Sequence, residues 1–384
     1  MTSTEHVPAS LSEVPTAAGR VLDDFFARTV PVATAIAPVV GDAAGLVADF
    51  VRTGGKRVRP TFAYAGWLCG LSSPHRRPTV PDQSPADALR VCAALELVQA
   101  CALIHDDIID HSDTRRGRPT VHRAIERHHR REGWSGDAAD HGIAGAVLCG
   151  DLALAWADDL VHGHTPAGAD PAAPTPTTPP SPLPAEVGAV WAAMRTEVLG
   201  GQFLDIVNEV SGDETVESAY RVMEFKTAAY TVARPLELGA RMAGAPDTLI
   251  AELRSVGHDL GIAFQLRDDL LGVFGDPERT GKPSGDDLVE GKRTALIALG
   301  LQRATDRDPT LATALRGLLG RALDDDEVAR ARALLTDVGA VDEIEHRITG
   351  LHASAVATLT AAQIGAGIRA DLIAMADRIT HRES

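Results

Sequence analysis

ADALRVCAALELVQACALIHDDIID, residues 86–110, is the stretch whose reading decides the fold. It is mostly Ala and Leu with polar residues sparsely placed, so it reads as a helix buried on most sides and therefore as a central element. Outward from it, apolar residues recur three and four apart from Val21 onward, while runs of alternating β-branched residues are nearly absent. The same periodicity predicts helices over 142–161, 186–210, 216–243, 247–273 and 292–304, with shorter ones to the end. The economical assembly is an all-α helix bundle in one large domain over residues 21–384.

Three stretches depart from the pattern. Residues 1–20 are rich in Ser, Thr and Pro and are expected to fray as a disordered N-terminus. HGHTPAGADPAAPTPTTPPSPLPAE, residues 162–186, has proline too often for helix and too few apolar side chains to bury, so it reads as a disordered or extended loop inserted between two core helices. His162 and His164 within it lack further ligands and carry no metal assignment. RHHRREGWSGDAADHG, residues 127–142, likewise reads as a loop.

The chain has 384 residues, 45% of them hydrophobic and 23% charged, which excludes fibrous, collagenous and wholly disordered classes. Its formal charge of −16 argues against a nonspecific nucleic-acid binder with a broad basic surface, so any anionic ligand must be held locally. No apolar run approaches the ~18 residues needed to span a bilayer, and the N-terminus lacks the basic-then-apolar order of a signal peptide. A cytoplasmic protein without a transmembrane segment is expected. Cys69, Cys92, Cys101 and Cys149 are dispersed with no CxxC pair, as small buried reduced thiols would be.

Chemistry begins at His105-Asp106-Asp107-Ile108-Ile109-Asp110. Asp106 and Asp110 are i and i+4 on one helical face, about 6 Å apart, and repel. A lone DDxxD on an exposed helix is usually a solvated face, but this one ends a strongly apolar helix, where uncompensated carboxylates are costly. A divalent cation resolves the conflict, and hard oxygen ligands with room for water and phosphate favour Mg²⁺. Arg115 and Arg116 follow in DTRRG, and adjacent guanidinium forks suit phosphate oxygens, so acid plus base suggests a metal-bridged diphosphate.

The design repeats at Phe264-Gln265-Leu266-Arg267-Asp268-Asp269-Leu270-Leu271-Gly272, followed by a glycine-punctuated loop over 275–294 that carries Lys282 and Lys292. Near the N-terminus VRTGGKRVRP, residues 51–60, has four basic residues and no acidic one. Pro60 reads as a first helical residue, which would gather Lys56, Arg57 and Arg59 at a helix N-terminus suited to an anion. Lys226-Thr227 adds a cation and a hydroxyl to an otherwise apolar helix. Each block alone is weak evidence, whereas their joint occurrence in this order is specific.

In that order the blocks closely resemble those of the trans-polyprenyl diphosphate synthases, the head-to-tail prenyltransferases, over roughly residues 20–380. The resemblance implies an isoprenoid synthase-like bundle around a deep central cavity, with the two aspartate motifs facing each other at its mouth, and a homodimer. It implies that Lys56 and Arg59 bind isopentenyl diphosphate together with Gln99 and Arg116. Asp106, Asp107 and Asp110 match the first metal motif, and Asp268 and Asp269 the second, with three Mg²⁺ ions as cofactor. Arg115, Lys226, Thr227, Gln265, Lys282 and Lys292 match allylic-diphosphate ligands. One departure stands out, because the family's common second motif has Asp where this chain has Gly272, and Asp276 four residues on is a candidate substitute.

The implied reaction ionises an allylic diphosphate and condenses the cation with isopentenyl diphosphate, with Arg115, Lys226, Lys282 and the aspartate-bound metals stabilising the departing charge. Val98, Cys101 and Ala102, on the turns before Asp106, are small or medium, whereas family members that stop at fifteen carbons place a bulky aromatic at the 101/102 level. A C20 product, geranylgeranyl diphosphate, is the leading expectation, with longer chains next. A terpene cyclase would not need the basic cradle or the second aspartate pair. A noncatalytic partner subunit fits the Gly272 departure but not the intact first motif.

Overall fold

The computed structural model describes residues 7–79, 81–164, 166–169, 179–275 and 285–380 and is all-α, as the periodicity predicts. The chain divides into two compact units, Met1–Val190 with Leu238–Pro246, and Trp191–Glu237 with Asp247–Ser384.

In the first unit the decisive stretch is helix α4 (Pro85–Ile109). A capping box starts it: Ser84 Oγ accepts from the Asp87 amide at 3.2 Å, and Asp87 Oδ2 accepts from the Ser84 amide at 3.0 Å. Helices α1 (Val14–Ile36), α2 (Pro38–Arg52), α3 (Val58–Ser72) and α6 (Ala138–His162) all pack on α4, which is why its apolar residues show no single stripe. Contrary to the reading that no apolar run is long enough, α4 could cross a bilayer by length and composition, with a mean hydropathy of 1.5. Because 78% of that window is buried inside the protein, α4 is a core helix.

The expected fraying of residues 1–20 is overturned from Val14 onward. Val14, Ala17, Ala18, Leu22, Phe25 and Phe26 are buried at helical spacing, and both phenylalanines meet Trp156 of α6 edge-on or tilted, at 6.0 and 5.9 Å between centroids. The composition is that of a tail, but the period is that of a core helix. The expected loop at 127–142 is also mostly helix. Helix α5 (Val121–Glu132) ends at Gly133 with φ 65°, and α6 begins at Ala138, leaving a short connection. Its polar face misled the reading, because Glu126 is buried between Arg123 at 2.7 Å and Arg130 at 2.5 Å. The insertion at 162–186 is tied down at its described end. Arg90 Nη2 donates to the Ser181 carbonyl at 2.8 Å, the Ser181 amide donates to Asp87 Oδ1 at 3.0 Å, and α7 (Ala185–Ser211) begins within the stretch. Residues 165 and 170–178 of that stretch lie outside the described residues.

In the second unit the run predicted as one helix over 216–243 is three segments. Helix α8 (Val216–Val222) passes into a π-helical stretch, Met223–Ala233, and then into α9 (Arg234–Met242). Helix α10 (Asp247–Phe274) packs on the π-helical stretch and on the helix Ala340–Ala361, burying Leu260, Ala263, Leu266 and Val273. The core continues through Leu288, Leu296 and Ile344, each fully buried. All four cysteines are buried and unpaired with one another.

Candidate active site

In the first unit, α4 carries Asp106 and Asp107 in its last turn and ends at Asp110. The first two aspartates are oriented differently. Asp106 and Asp110 are half-buried, while Asp107 is only 1% exposed. Arg115 Nε donates to Asp107 Oδ1 at 2.6 Å, and its Nη2 donates to Asp106 Oδ2 at 3.3 Å. Burial pushes the Asp107 carboxyl up to about 6 against the pull of Arg115, and the charges of Asp106 and Asp110 add to the rise. Asp107 Oδ2 is buried and, among the described residues, accepts no hydrogen bond.

Arg115 and Arg116 are delivered by a feature absent from the sequence reading, a small antiparallel hairpin. Thr114–Arg115 pairs with Arg118–Pro119 around a turn in which Arg116 has φ 54° and Gly117 φ 72°. Two positive φ values in a two-residue turn match the right-handed twist of a hairpin. The turn sends Arg115 toward the aspartates and Arg116 toward the basic block, where Arg116 Nη1 donates to the Thr53 carbonyl at 3.3 Å.

That block departs from the expected start. Helix α3 begins at Val58, two residues before Pro60, with Arg57 as its N-cap at φ 48°. Arg57 is turned away from a prospective ligand, its Nη1 donating to the Pro15 carbonyl of α1 at 3.1 Å. Beneath the block lies a residue the sequence reading missed, Glu96 of α4, 7% exposed. Burial raises its carboxyl, while Arg59, Arg57 and Arg116 lower it, in that order. One buried carboxylate thus lies within the electrostatic reach of three guanidinium groups and offsets part of their mutual repulsion. An acid in the middle of a buried Ala/Leu helix was the available signal. Among the described residues, only Arg57, His111 and Arg116 are non-glycine residues at positive φ, and all three flank these motifs.

Further back on α4, Val98 and Cys101 are each 2% exposed and Ala102 is half-buried. Cys101 Sγ lies 3.8 Å from His105 Nδ1, and burial pushes its thiol up to about 12. Gln99 is half-buried on the same helix.

In the second unit, Asp268 is half-buried and Asp269 is 2% exposed. Asp269 Oδ1 accepts from Gln265 Nε2 at 2.9 Å, and Oδ2 accepts from the Ala295 amide at 3.1 Å, at the start of the helix Ala295–Arg307. Burial pushes its carboxyl up to about 7, opposed by those hydrogen bonds. Gln265, expected to touch the allylic substrate, is engaged here with Asp269. Lys226 sits on the π-helical stretch beside half-buried Thr227, its Nζ 2.7 Å from Asp205 Oδ2 of α7. Sequence reading missed Asp205 and also Gly201, where a Cβ would stand 2.7 Å from Lys226 Cα, so that only glycine lets α7 approach this backbone. Lys292 pairs with Glu290 at 2.7 Å. Lys282 and Asp276 lie outside the described residues.

The donor set can be tested against Mg²⁺ on these observations. Among the described residues no three His, Cys, Asp or Glu side chains gather as a cage. Mg²⁺ needs none, since it commonly takes one or two carboxylates and completes its octahedron with water and phosphate oxygens. In the first unit half-buried Asp106 and Asp110, next to Asp107 with its unsatisfied oxygen, fit that mode, and in the second unit half-buried Asp268 fits it separately.

The sequence profile described as Polyprenyl synthetase matches residues 44–335. The structure is similar to a crystal structure of geranylgeranyl pyrophosphate synthase from Corynebacterium glutamicum complexed with isoprenyl diphosphate and magnesium. The TM-score is 0.86 at 45% identity, covering 97% of this chain and 99% of that one. A geranylgeranyl diphosphate synthase of Mycobacterium tuberculosis is 34% identical over 303 residues, 77% of this chain and 74% of its own length. A geranylfarnesyl diphosphate synthase of Aeropyrum pernix is 30% identical over 305 residues, 79% of this chain and 82% of its own. An all-α scaffold of this kind, matched by that profile and those relatives, defines a prenyltransferase. The chain belongs to the polyprenyl synthetase family.

Proposed function

We propose that this enzyme condenses isopentenyl diphosphate with an allylic diphosphate head to tail, dependent on Mg²⁺, and releases mainly geranylgeranyl diphosphate. The observation that carries the reading is the paired arrangement in the first unit. Arg115 is locked to Asp106 and Asp107, while Arg116, one residue on, joins Arg59 around Glu96. A single turn thus serves two adjacent anion sites, one beside metal-competent carboxylates and one without them.

In this reading Lys56, Arg59 and Arg116 hold isopentenyl diphosphate, with Gln99 nearby on α4, and Arg115, Lys226, Thr227, Gln265, Lys282 and Lys292 serve the allylic diphosphate. The allylic C–O bond breaks with its electron pair passing to the diphosphate oxygen, and the cation left behind is attacked by the isopentenyl double bond. The proton then lost from the adduct goes to the released diphosphate, so no side chain acts as general base. Arg115 and Lys226 meet charge that grows on the leaving group, which is where fixed cations lower a barrier most. Mg²⁺ held by Asp106 and Asp110 in the first unit and by Asp268 in the second, three ions by family resemblance, would supply further electrophilic charge. Asp107, which shares Arg115 with Asp106, and Asp269, bonded to Gln265 and the Ala295 amide, complete the two metal motifs.

Small residues at Val98, Cys101 and Ala102 leave the path behind the first motif free of an aromatic floor, which favours C20 over C15. The reading includes one catalytic domain over residues 21–384, a homodimer and a cytoplasmic location. The deciding experiment supplies labelled isopentenyl diphosphate with each allylic primer in turn, with and without Mg²⁺, and sizes the products. A C20 product that needs both primer and metal is expected. A cyclic hydrocarbon formed without consuming isopentenyl diphosphate would overturn the reading in favour of a cyclase. Sedimentation equilibrium checks the dimer.

A further inference from the structure

Lys226 and Thr227 stand in the π-helical stretch Met223–Ala233 of the second unit. π-helical turns are rare and mostly single, so a stretch of 11 residues that persists between two α-helices must be held by its neighbours. On one side α10 brings Gly257 and Gly261, four apart and therefore on one face. A Cβ on Gly257 would run into the Ala233 backbone, and one on Gly261 would stand 2.5 Å from Ala228 Cα and 2.6 Å from its Cβ. The two residues that α10 meets, Ala228 and Ala233, are five apart. In an α-helix they would stand roughly 140° apart around the axis, on different faces. With hydrogen bonds running from i to i+5 they share a face. Although Ala229 and Val232 offer α-helical spacing as well, the glycine pair fits both alanines at once only in the π register.

On the other side α7 brings Glu197, Gly201 and Asp205, spaced by four on one face. Gly201 admits the Lys226 backbone, and Asp205 meets Lys226 Nζ at 2.7 Å. Glu197 takes Arg234 in a two-pronged grip, from Nε at 2.9 Å and from Nη2 at 2.5 Å. Arg234 is the residue at which the stretch returns to α-helix, and its Nη1 also donates to Glu237 Oε2 at 2.6 Å. Glu237 is 1% exposed, and its Oε2 lies 3.7 Å from Arg254 Nε of α10. Pro235 follows directly. It has no N–H to give, and in a continuous α-helix its ring would press on the Thr231 carbonyl. We propose that the π register is the device that aims Lys226 and Thr227, and that Glu197 and Arg234 are positioning residues that hold it. This inference rests on the reading of Lys226 and Thr227 as ligands of the allylic diphosphate and extends it to two residues that act through them. With Ala233 and Arg234 fixed, a return to α spacing would move the residues before them by one position, about 100° around the axis. Lys226 would leave Asp205, and Thr227 would turn with it.

The test is steady-state kinetics on the full-length enzyme with Mg²⁺, varying farnesyl diphosphate and isopentenyl diphosphate separately. Glu197→Gln and Arg234→Lys each keep a polar partner but lose the grip. Each is expected to raise KM for farnesyl diphosphate about tenfold and to lower kcat about tenfold, with KM for isopentenyl diphosphate within about twofold. A fold that is merely loosened would move both KM values together. In a background of Lys226→Ala with Thr227→Ala, Glu197→Gln is expected to change kcat and KM for farnesyl diphosphate by less than about twofold, because the groups it positions are gone. Deletion of Ala229, which takes one residue out of the stretch, is expected to lower turnover about 100-fold or more while the far-ultraviolet circular dichroism stays helical. The positioning role is overturned, with the proposed function left standing, by three results: point variants without effect or with equal shifts of both KM values, a Glu197→Gln effect undiminished in the alanine background, or near-parental turnover after the deletion. An alanine background that leaves kcat and KM for farnesyl diphosphate unchanged overturns this inference together with the role of Lys226 and Thr227 in the proposed function.

Discussion

The two aspartate motifs look like copies in the sequence, but they are held by different means. In each, the first aspartate is half-buried and the second is nearly solvent-free. In the first motif the buried Asp107 is gripped by a guanidinium, that of Arg115, and leaves one oxygen unsatisfied. In the second, the buried Asp269 is gripped by the Gln265 amide and a backbone N–H, so that both oxygens are occupied. The buried aspartate of the first motif is therefore held by positive charge and that of the second by neutral donors. The third position differs as well, an aspartate, Asp110, ending the first motif and a glycine, Gly272, standing in the second, where a Cβ would collide with Asp287. What the two motifs share is thus a half-buried first carboxylate beside a buried second one, and the support behind them differs.

The comparison can be broken most severely at its common element. Asp106→Ala and Asp268→Ala are each expected to lower turnover by about 100- to 1,000-fold with the fold intact by circular dichroism, since each removes charge stabilisation of the leaving group. Near-normal turnover in either would remove that motif from the mechanism. Next come the buried partners. Asp107→Asn is expected to raise the Mg²⁺ requirement by about 10- to 100-fold, because Arg115 loses its charged anchor, and Asp269→Asn by less, because its anchors are neutral. Equal effects would show that the difference in support has no consequence. Glu96→Gln, which removes the charge beneath the basic cluster, is expected to raise KM for isopentenyl diphosphate about tenfold while leaving that of the allylic substrate within about twofold. Steady-state kinetics with each substrate varied would separate the two. Gly201→Ala, which touches only the second unit, is expected to cost about 1–3 kcal/mol in urea unfolding by pushing α7 from the Lys226 backbone. Last, Ala102→Phe is expected to shorten the product with little change in rate, and an unchanged product spectrum would count against residue 102 as part of the floor.

Much of this was legible beforehand, for identifiable reasons. Helices α4 and α10 announce themselves because burial on several sides demands long apolar runs, and the aspartates stand out because charge at the end of such a run is costly. Helix α5 was hidden because its buried face is polar, with Glu126 satisfied by two arginines that no periodicity of apolar residues could reveal. The π-helical stretch was hidden because Met223–Ala233 has the same apolar spacing an α-helix would show. The chain length of the product rests on residues that are merely small, and absence of bulk is a weak signal in any sequence.

The sequence by itself determined the all-helical class, the order of the motifs and hence the family, because buried helices and diphosphate chemistry each restrict which residue types can stand at a given spacing. Only the tertiary structure decided which aspartate of each pair is nearly solvent-free, which arginine locks it, and that Glu96 is buried beneath the basic block. Those assignments depend on contacts between residues distant in the chain, such as Asp107 with Arg115 and Asp269 with the Ala295 amide, and local periodicity carries no information about which distant group will arrive.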